Sequence, residues 1–154
     1  MVEHVDIPDG ERHEPKGVAS ATVGQVYVAD GAASGTWEDF AYDINAVITD
    51  VSAPSFVLIP LLNDVVVTKI KYVLGAAITV ADSTITVTRG SAADAMGTQV
   101  IAFTASAEGT QFTQTPSGNN TITAATHHYI KIATNGNSTT TAPLYITVRC
   151  RKVP

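Results

Sequence analysis

The sequence is poor in the residues on which many enzymes and secreted domains depend. It has one cysteine, Cys150, which excludes a disulfide within the chain, and four histidines among 154 residues. Charged residues make up 15% and aromatic residues 6%. No apolar segment approaches the ~20 residues of a membrane-spanning helix, so no membrane partner is expected. Stability must come from packing or from assembly with other subunits.

Positive charge is also scarce, and it is unevenly distributed. Residues 1–50 carry ten Asp and Glu against two basic residues, a net charge of −8, whereas residues 51–154 carry four acids against seven bases, a net charge of +3. The one basic run, Arg149, Arg151 and Lys152, is interpreted as a solvated strand end. The sequence therefore predicts no nucleic-acid partner and two differently built regions.

Hydrophobic residues nevertheless make up 45% of the chain, which is enough for one folded core at this length. Residues 1–6 are acidic and polar, where a signal peptide would be basic and then apolar. We therefore expect the chain to be made in a cytoplasm.

The first third of the chain is predicted to be an arm. Residues 1–24 contain five Pro and Gly residues among charged ones, which favours an extended segment. Residues 25–29 and 36–37, separated by Asp-Gly and small residues, predict a small hairpin. Residues 37–51 have apolar residues at near-helical spacing and are interpreted as a linker with one or two helical turns. We assign residues 1–53 to this N-terminal arm.

Residues 54–154 have the pattern of an all-β domain. Apolar and Thr-rich runs of strand length alternate with Gly, Asn, Asp, Ser and Pro, without a helical period. About eight to nine antiparallel strands predict a β-sandwich or jelly roll, which we expect to oligomerise. The candidate strands are 56–61, 65–74, 77–80, 84–88, 99–105, 111–114, 121–124, 128–134 and 144–151.

The predicted outer faces are rich in threonine. Thr84, Thr86 and Thr88 alternate with Ile85 and Val87, and the same alternation recurs over 145–150. Threonine is β-branched and favours strands while adding no charge. Such a face costs little to desolvate against another subunit.

Candidate metal ligands are few and poorly placed. His127 and His128 lie at the predicted start of a strand, where adjacent side chains point to opposite faces and cannot chelate one metal ion, so both are interpreted as loop or edge residues. His4 and His13, with three nearby glutamates, lie in an arm that would not hold ligand geometry. We interpret them as part of a surface anchor.

Two further residues have alternative interpretations. Cys150 alternates in phase with Ile146 and Val148, which is typical of a small buried hydrophobe, and no base lies beside it to activate a thiol. Trp37 is either an interface anchor for a neighbouring subunit or a side chain packed on the β domain, and both possibilities stay open.

No glycine-rich phosphate loop, zinc-binding pair or calcium loop occurs in the sequence, and Gly90, Gly97 and Gly109 are interpreted as turn residues. Neither paired carboxylates nor a nucleophile with a base emerges. We therefore expect no cofactor, no metal site and no enzymatic activity.

Several segments resemble proteins on the surface of tailed bacteriophages. Residues 7–21, 24–31 and 35–37 resemble the N-terminal segment of head fibre and head decoration proteins, and residues 67–79, 82–87 and 132–144 resemble the β domain of such proteins. The most specific part is the run His13, Glu14, Pro15, Lys16 and Gly17.

The resemblance implies a virion protein on the outer capsid surface, with the major capsid protein as partner and a homotrimer as assembly. Its function would be to decorate the capsid and cement neighbouring major capsid subunits, after synthesis in the bacterial host cytoplasm. The N-terminal segment generally meets the capsid in that family. The candidate capsid contacts are therefore His13, Glu14, Pro15, Lys16, Gly17, Tyr27 and Trp37.

An alternative is a short head fibre or tail-associated adaptor that binds the host surface or glycans. Loops 115–120 and 135–141 would then carry recognition. A fibre continues into a repetitive shaft or a distal knob after its anchor, whereas this sequence shows one β domain. That difference favours a cement protein.

Overall fold

A computed structural model describes residues 21–22, 24–29, 35–90, 94–136 and 140–153. The chain divides into two compact units, Met1–Phe40 with Pro154, and Ala41–Val153. The described part of the first unit is a hairpin of β1 (Gln25–Ala29) and β2 (Gly35–Asp39), as predicted. The hairpin ends where the Phe40 N–H donates a 2.9 Å hydrogen bond to the Gly24 carbonyl.

The regular secondary structure in the described part of the second unit is almost entirely strands. They are β3 (Ala41–Ile48), β4 (Ser55–Pro60), β5 (Val65–Leu74), β6 (Ser83–Arg89), β7 (Asp94–Ile101), β8 (Gln111–Gln114), β9 (Thr121–Ile122), a helical turn α1 (Ala124–His127), β10 (Tyr129–Thr134) and β11 (Leu144–Lys152).

These strands form two antiparallel sheets in a sandwich. One sheet has four strands in the order β4-β10-β6-β7. The other has the order β3-β11-β5-β8, and the short β9 pairs with the start of β5 beside β8. Every strand pair is antiparallel. The prediction of an all-β sandwich is confirmed.

The core lies between the sheets because each strand buries every second residue. In β10, for example, Ile130 and Ile132 are fully buried, and in β11 Ile146, Val148 and Cys150 are buried while their neighbours face outwards. The predicted alternation in β6 and β11, including a buried Cys150, is confirmed. Aliphatic side chains of both sheets thus form one cluster.

One predicted linker is a strand. Within residues 37–51, which were expected to contain helical turns, β3 pairs with β11 along its whole length, from Ala41 opposite Arg151 to Ile48 opposite Leu144. The helical prediction was wrong because the apolar spacing on which it rested does not determine burial here: β3 turns alternate residues, Ile44, Ala46 and Ile48 among them, towards the core. Pairing with β11 outweighs the low strand propensity of Asp43 and Asn45. The assignment of 1–53 to capsid anchoring and 54–154 to oligomerisation concerns roles and stays a prediction.

Other strand boundaries also differ from the prediction. Residues 77–80 are not a strand, because the Ile78 N–H donates to Ser106 Oγ at 2.9 Å, and that hydroxyl donates to the Ile78 carbonyl at 3.0 Å. A side chain here takes the place of a neighbouring strand. The strand expected at 99–105 is shifted towards the N-terminus to β7 and is followed by a 3₁₀ turn at Phe103–Ala105.

We predict that Ile132→Ala lowers the free energy of unfolding by about 2–5 kcal/mol, because it leaves a cavity beneath an inner strand of the four-stranded sheet. Thr113→Ala, at an exposed site on β8, is the control and should change it by less than about 0.5 kcal/mol. Urea unfolding followed by circular dichroism measures both. Equal effects would contradict the proposed core.

Candidate interaction surfaces

The hairpin brings together two of the predicted contact residues. Tyr27 and Trp37 are direct cross-strand partners, and their rings lie edge to face with centroids 5.3 Å apart. The Trp37 indole nitrogen is enclosed and has no hydrogen-bond partner in the described part of the chain. His13, Glu14, Pro15, Lys16 and Gly17 lie outside the described residues. A contact of any of these residues with a capsid stays a prediction.

Space around Tyr27 explains a glycine at the start of β2. A Cβ atom at Gly35 would lie 2.7–2.8 Å from atoms of the Tyr27 ring. The same Cβ would lie even closer to the Val28 carbonyl oxygen, so any larger residue would clash with both the ring and the backbone of β1. The aromatic pair and the glycine form one local unit.

The outer face of the five-stranded sheet is polar and partly charged. Register places five charged side chains among its outward residues, four of them basic. The face comprises Ala41, Asp43, Asn45, Val47, Val66, Lys69, Lys71, Val73, Gln111, Thr113, Tyr145, Thr147, Arg149 and Arg151.

The centre of this polar face is a shallow depression. Asp43, Lys69, Lys71, Thr147 and Arg149 line it. Arg149 donates two hydrogen bonds of 2.8 Å to the Asp43 carboxylate, one from Nε and one from a terminal nitrogen. These bonds hold the pKa of Asp43 below its usual range. Lys69 and Lys71 make no ion pair within the described residues, so the depression is net positive.

The outer face of the four-stranded sheet is different. Among twelve outward side chains a single one, Lys131, is charged, and most of the others are apolar or threonine. The face comprises Phe56, Leu58, Pro60, Thr84, Thr86, Thr88, Ala95, Thr98, Val100, Tyr129, Lys131 and Ala133. We call it the low-charge face.

Large apolar side chains on the low-charge face remain accessible. Phe56 is 59% exposed, Leu58 45% and Val100 49%. The ammonium of Lys131 lies 4.8 Å from the centroid of the Phe56 ring, so the one cation of the face rests on an aromatic surface. Phe56 and Leu58 lie next to each other on β4, and exposed apolar groups on a largely uncharged face are typical of a protein–protein contact site.

Cys150 lies on the inner side of β11. Burial, together with the nearby Asp43 charge, raises the pKa of its thiol to about 11. The thiol is therefore protonated at neutral pH and packs as an apolar group.

The two neighbouring histidines lie just before a strand, in agreement with their interpretation as loop or edge residues, although the strand was predicted to begin one residue earlier, at His128. His127 ends the helical turn α1, and its Nδ1 accepts a 3.0 Å hydrogen bond from the Thr123 N–H. His128 has a φ of 62°, and β10 begins after it, at Tyr129. Over the described ranges no group of three or more His, Cys, Asp or Glu side chains could hold a metal ion. His4 and His13 lie outside those ranges.

A buried polar contact was missed by sequence reasoning. The Tyr72 hydroxyl donates a 2.6 Å hydrogen bond to Gln114 Oε1, and burial raises the pKa of Tyr72. A Cβ at Gly97 would lie 2.8 Å from Gln114 Nε2, and Gly97 has a φ of 135°. Gly97 thus lies within β7 and makes room for Gln114, instead of forming a turn as predicted. The sequence signal that could have revealed this contact is an isolated glycine within a strand, which often marks a bulge or the close approach of another group.

The two loops predicted for the alternative function are partly tied to the sandwich. Asn120 Nδ2 donates to the Val67 carbonyl at 3.2 Å, and Asn119 Nδ2 donates to the Ala95 carbonyl at 3.1 Å. In the second loop, Asn135 Oδ1 accepts a 2.9 Å hydrogen bond from the Thr84 N–H. These asparagines therefore tie the first loop and the described start of the second loop to the sandwich, whereas residues 137–139 lie outside the described residues.

Comparison with models of protein families found no match, and comparison with curated proteins found no significant relative. Among the described residues, no helix is long and apolar enough to cross a membrane.

We predict that the Cys150 thiol of the folded chain reacts with a disulfide reagent at pH 8 at least about 100-fold more slowly than that of the urea-unfolded chain. A pKa raised by roughly two units reduces the thiolate about 100-fold, and burial slows access further. Absorbance of the released thiol measures both rates. Similar rates in the two states would contradict the buried position.

Proposed function

We propose that the chain is a structural virion protein of a tailed bacteriophage, which decorates the outer capsid surface and cements neighbouring major capsid subunits. The low-charge face is the observation that carries this proposal. The resemblance of the N-terminal segment to phage head decoration proteins supplies the identity of the partner.

The low-charge face suits a protein partner for reasons of desolvation. Taking a charged side chain out of water is costly unless it is paired, whereas apolar and threonine side chains carry little such cost. With Lys131 as its one charged residue, the face can be covered without stranding several ions. Phe56 and Leu58 supply the apolar area that drives association.

The arm supplies the attachment in this proposal. Residues 1–50 carry a net charge of −8, which favours a basic or neutral groove on the capsid. In a trimer, three arms act together, because the first contact raises the effective concentration of the other two. Each arm therefore needs only a weak contact with the shell.

We predict that deleting residues 1–40 abolishes binding to phage heads that lack the protein, because it removes the acidic arm and the Tyr27–Trp37 hairpin while sparing the Ala41–Val153 unit. Co-sedimentation of the full chain and of the truncated chain with such heads measures binding. Circular dichroism of the truncated chain is the control for folding. Full binding by a folded truncated chain would contradict the arm's role, and no binding by the full chain would contradict the proposal.

The net positive depression favours a second candidate, a short fibre or adaptor that binds an acidic glycan. Lys69 and Lys71 offer charge, and Thr147 a hydroxyl, at one open site. If this function holds, a glycan array should give a signal that Lys69→Ala with Lys71→Ala reduces at least about tenfold, as expected for the loss of two charge-assisted contacts. Lys131→Ala, on the opposite sheet, is the matched control. A cement protein should leave the array silent.

A further inference from the structure

The strand β4 forms one edge of the four-stranded sheet and pairs with β10 on its other side. The Leu61 N–H continues this ladder with a 2.9 Å hydrogen bond to the His128 carbonyl, which defines its phase. Along an antiparallel strand, the N–H and C=O groups of successive residues point alternately towards the partner strand and away from it. Those of Phe56 and Leu58 therefore point away from β10, and within the described residues they make no hydrogen bond. We call these groups the β4 edge.

The opposite edge of the same sheet, at β7, is partly covered by a loop of the chain itself. The Ser117 N–H donates a 3.0 Å hydrogen bond to the Met96 carbonyl, and Asn119 Nδ2 donates to the Ala95 carbonyl at 3.1 Å. An unpaired strand edge is a template for another strand. The β4 edge is therefore the side of this sheet that can be extended.

The side chains of β4 suit the addition of a strand. None of them is charged, although charged side chains are a usual protection of an exposed edge. Phe56 and Leu58 are 59% and 45% exposed on the outer side. On the inner side, Val57 packs against the core and is only partly buried. A strand added at this edge would cover all three.

Two prolines make the β4 edge symmetric. Pro54 comes just before the strand and Pro60 ends it, and neither has an N–H. Both are an even number of residues from Phe56 and Leu58, and both are three residues from Val57. The edge thus offers its two N–H groups at equal distances on either side of Val57, between two positions that have none.

This symmetry favours a second copy of the chain over a strand of another protein. A twofold contact brings the same patch of two copies together, so the patch must be complementary to itself. Antiparallel pairing centred on Val57 places Phe56 of one copy opposite Leu58 of the other, and each such pair exchanges two hydrogen bonds. Pairing centred on Phe56 or on Leu58 would instead place a proline opposite one of these residues and leave its carbonyl without a donor. A strand of another protein would require no symmetry about Val57.

We propose that two copies of this chain pair through their β4 edges about a twofold axis at Val57, which joins two four-stranded sheets into one continuous sheet. Phe56 and Leu58 of the two copies then form an apolar cluster on the outer side, and each Val57 covers the other on the inner side. Lys131, the one charged residue of the low-charge face, lies on β10 next to Leu58. The two Lys131 side chains are three strand spacings apart, roughly 14 Å, so salt screens their repulsion.

The contact goes beyond the proposed function, and it does not use the trimer. Its affinity comes mainly from backbone hydrogen bonds, as in other cases of strand addition, and each of these contributes about 0.5–1.5 kcal/mol. Such a short contact is weak between dilute chains and becomes effective when chains are held close together. On a capsid surface it would join a sandwich of one trimer to a sandwich of the next.

The first experiment traps the contact with a disulfide. In the proposed register the two Val57 residues face each other at a non-hydrogen-bonded position, where Cα atoms lie about 4.5 Å apart, within the range that a disulfide spans. The full chain with Cys150→Ala and Val57→Cys should form a cross-linked dimer with the oxidant diamide, measured on non-reducing gels. Val100→Cys on the β7 edge, in the same background, is the matched control and should react at least about tenfold more slowly. Equal rates would overturn the contact.

The second experiment tests the register. Two Phe56 residues would be diagonal neighbours about 7–8 Å apart, beyond the usual disulfide range, whereas Phe56 and Leu58 lie opposite each other. Phe56→Cys alone should therefore cross-link poorly, and so should Leu58→Cys alone. A mixture of the two should give a dimer with one copy of each, which intact-mass measurement identifies. Chance collisions, or pairing centred elsewhere, would not give this pattern and would overturn the register.

The third experiment removes one outward N–H. Leu58→Pro leaves the ladder with β10 intact, because the Leu58 N–H points away from it, as the position of Pro60 does in the same strand. Added to Val57→Cys, it should lower the rate of cross-linking to that of the Val100→Cys control. Circular dichroism verifies that the variant is folded. Unchanged cross-linking in a folded Leu58→Pro variant would overturn strand pairing.

These outcomes are separate from those of the proposed function. Failure of Val57→Cys to cross-link overturns the twofold contact, while binding of the full chain to phage heads can still be measured by co-sedimentation. Cross-linking by a chain that does not bind heads would support the contact and contradict the proposed function.

Discussion

The structure depends on one constraint: both sheets of the Ala41–Val153 unit must bury one side of each strand in a shared aliphatic core. The long strands β5 and β11 meet this constraint at the centre of one sheet, and β10 and β6 meet it at the centre of the other. Because side chains alternate along a strand, burying one row fixes which residues face outwards. The composition of both outer faces therefore follows from the register of the core.

The two outer faces that result differ in chemistry. One carries Asp43, Lys69, Lys71 and Arg149 and can stay in water at no cost. The other has Lys131 as its one charged residue and exposes Phe56 and Leu58. This difference gives the molecule a polar side and a side suited to other protein chains. We infer an assembly role from it, and the resemblance of the N-terminal segment places that role on a phage capsid as a proposal.

The fold could be predicted largely from the sequence, because threonine and β-branched residues alternate clearly in strands such as β6 and β11. Strand β3 could not, since Asp43 and Asn45 weaken its pattern and pairing with β11 determines its conformation. The role of Ser106 beside Ile78 also depends on a contact between distant residues. The sequence predicted low charge on the outer faces in general. The register shows that low charge is confined to the outer face of the four-stranded sheet, and that Phe56 and Leu58 lie on that face.

The central claim is that the chain binds protein subunits on the outside of a capsid. Cryo-electron microscopy of the phage particle tests it most directly. Density is expected for three sandwiches around one axis on the outer shell surface, with their N-terminal segments against the major capsid protein. A particle without such density on its outer surface would contradict the account.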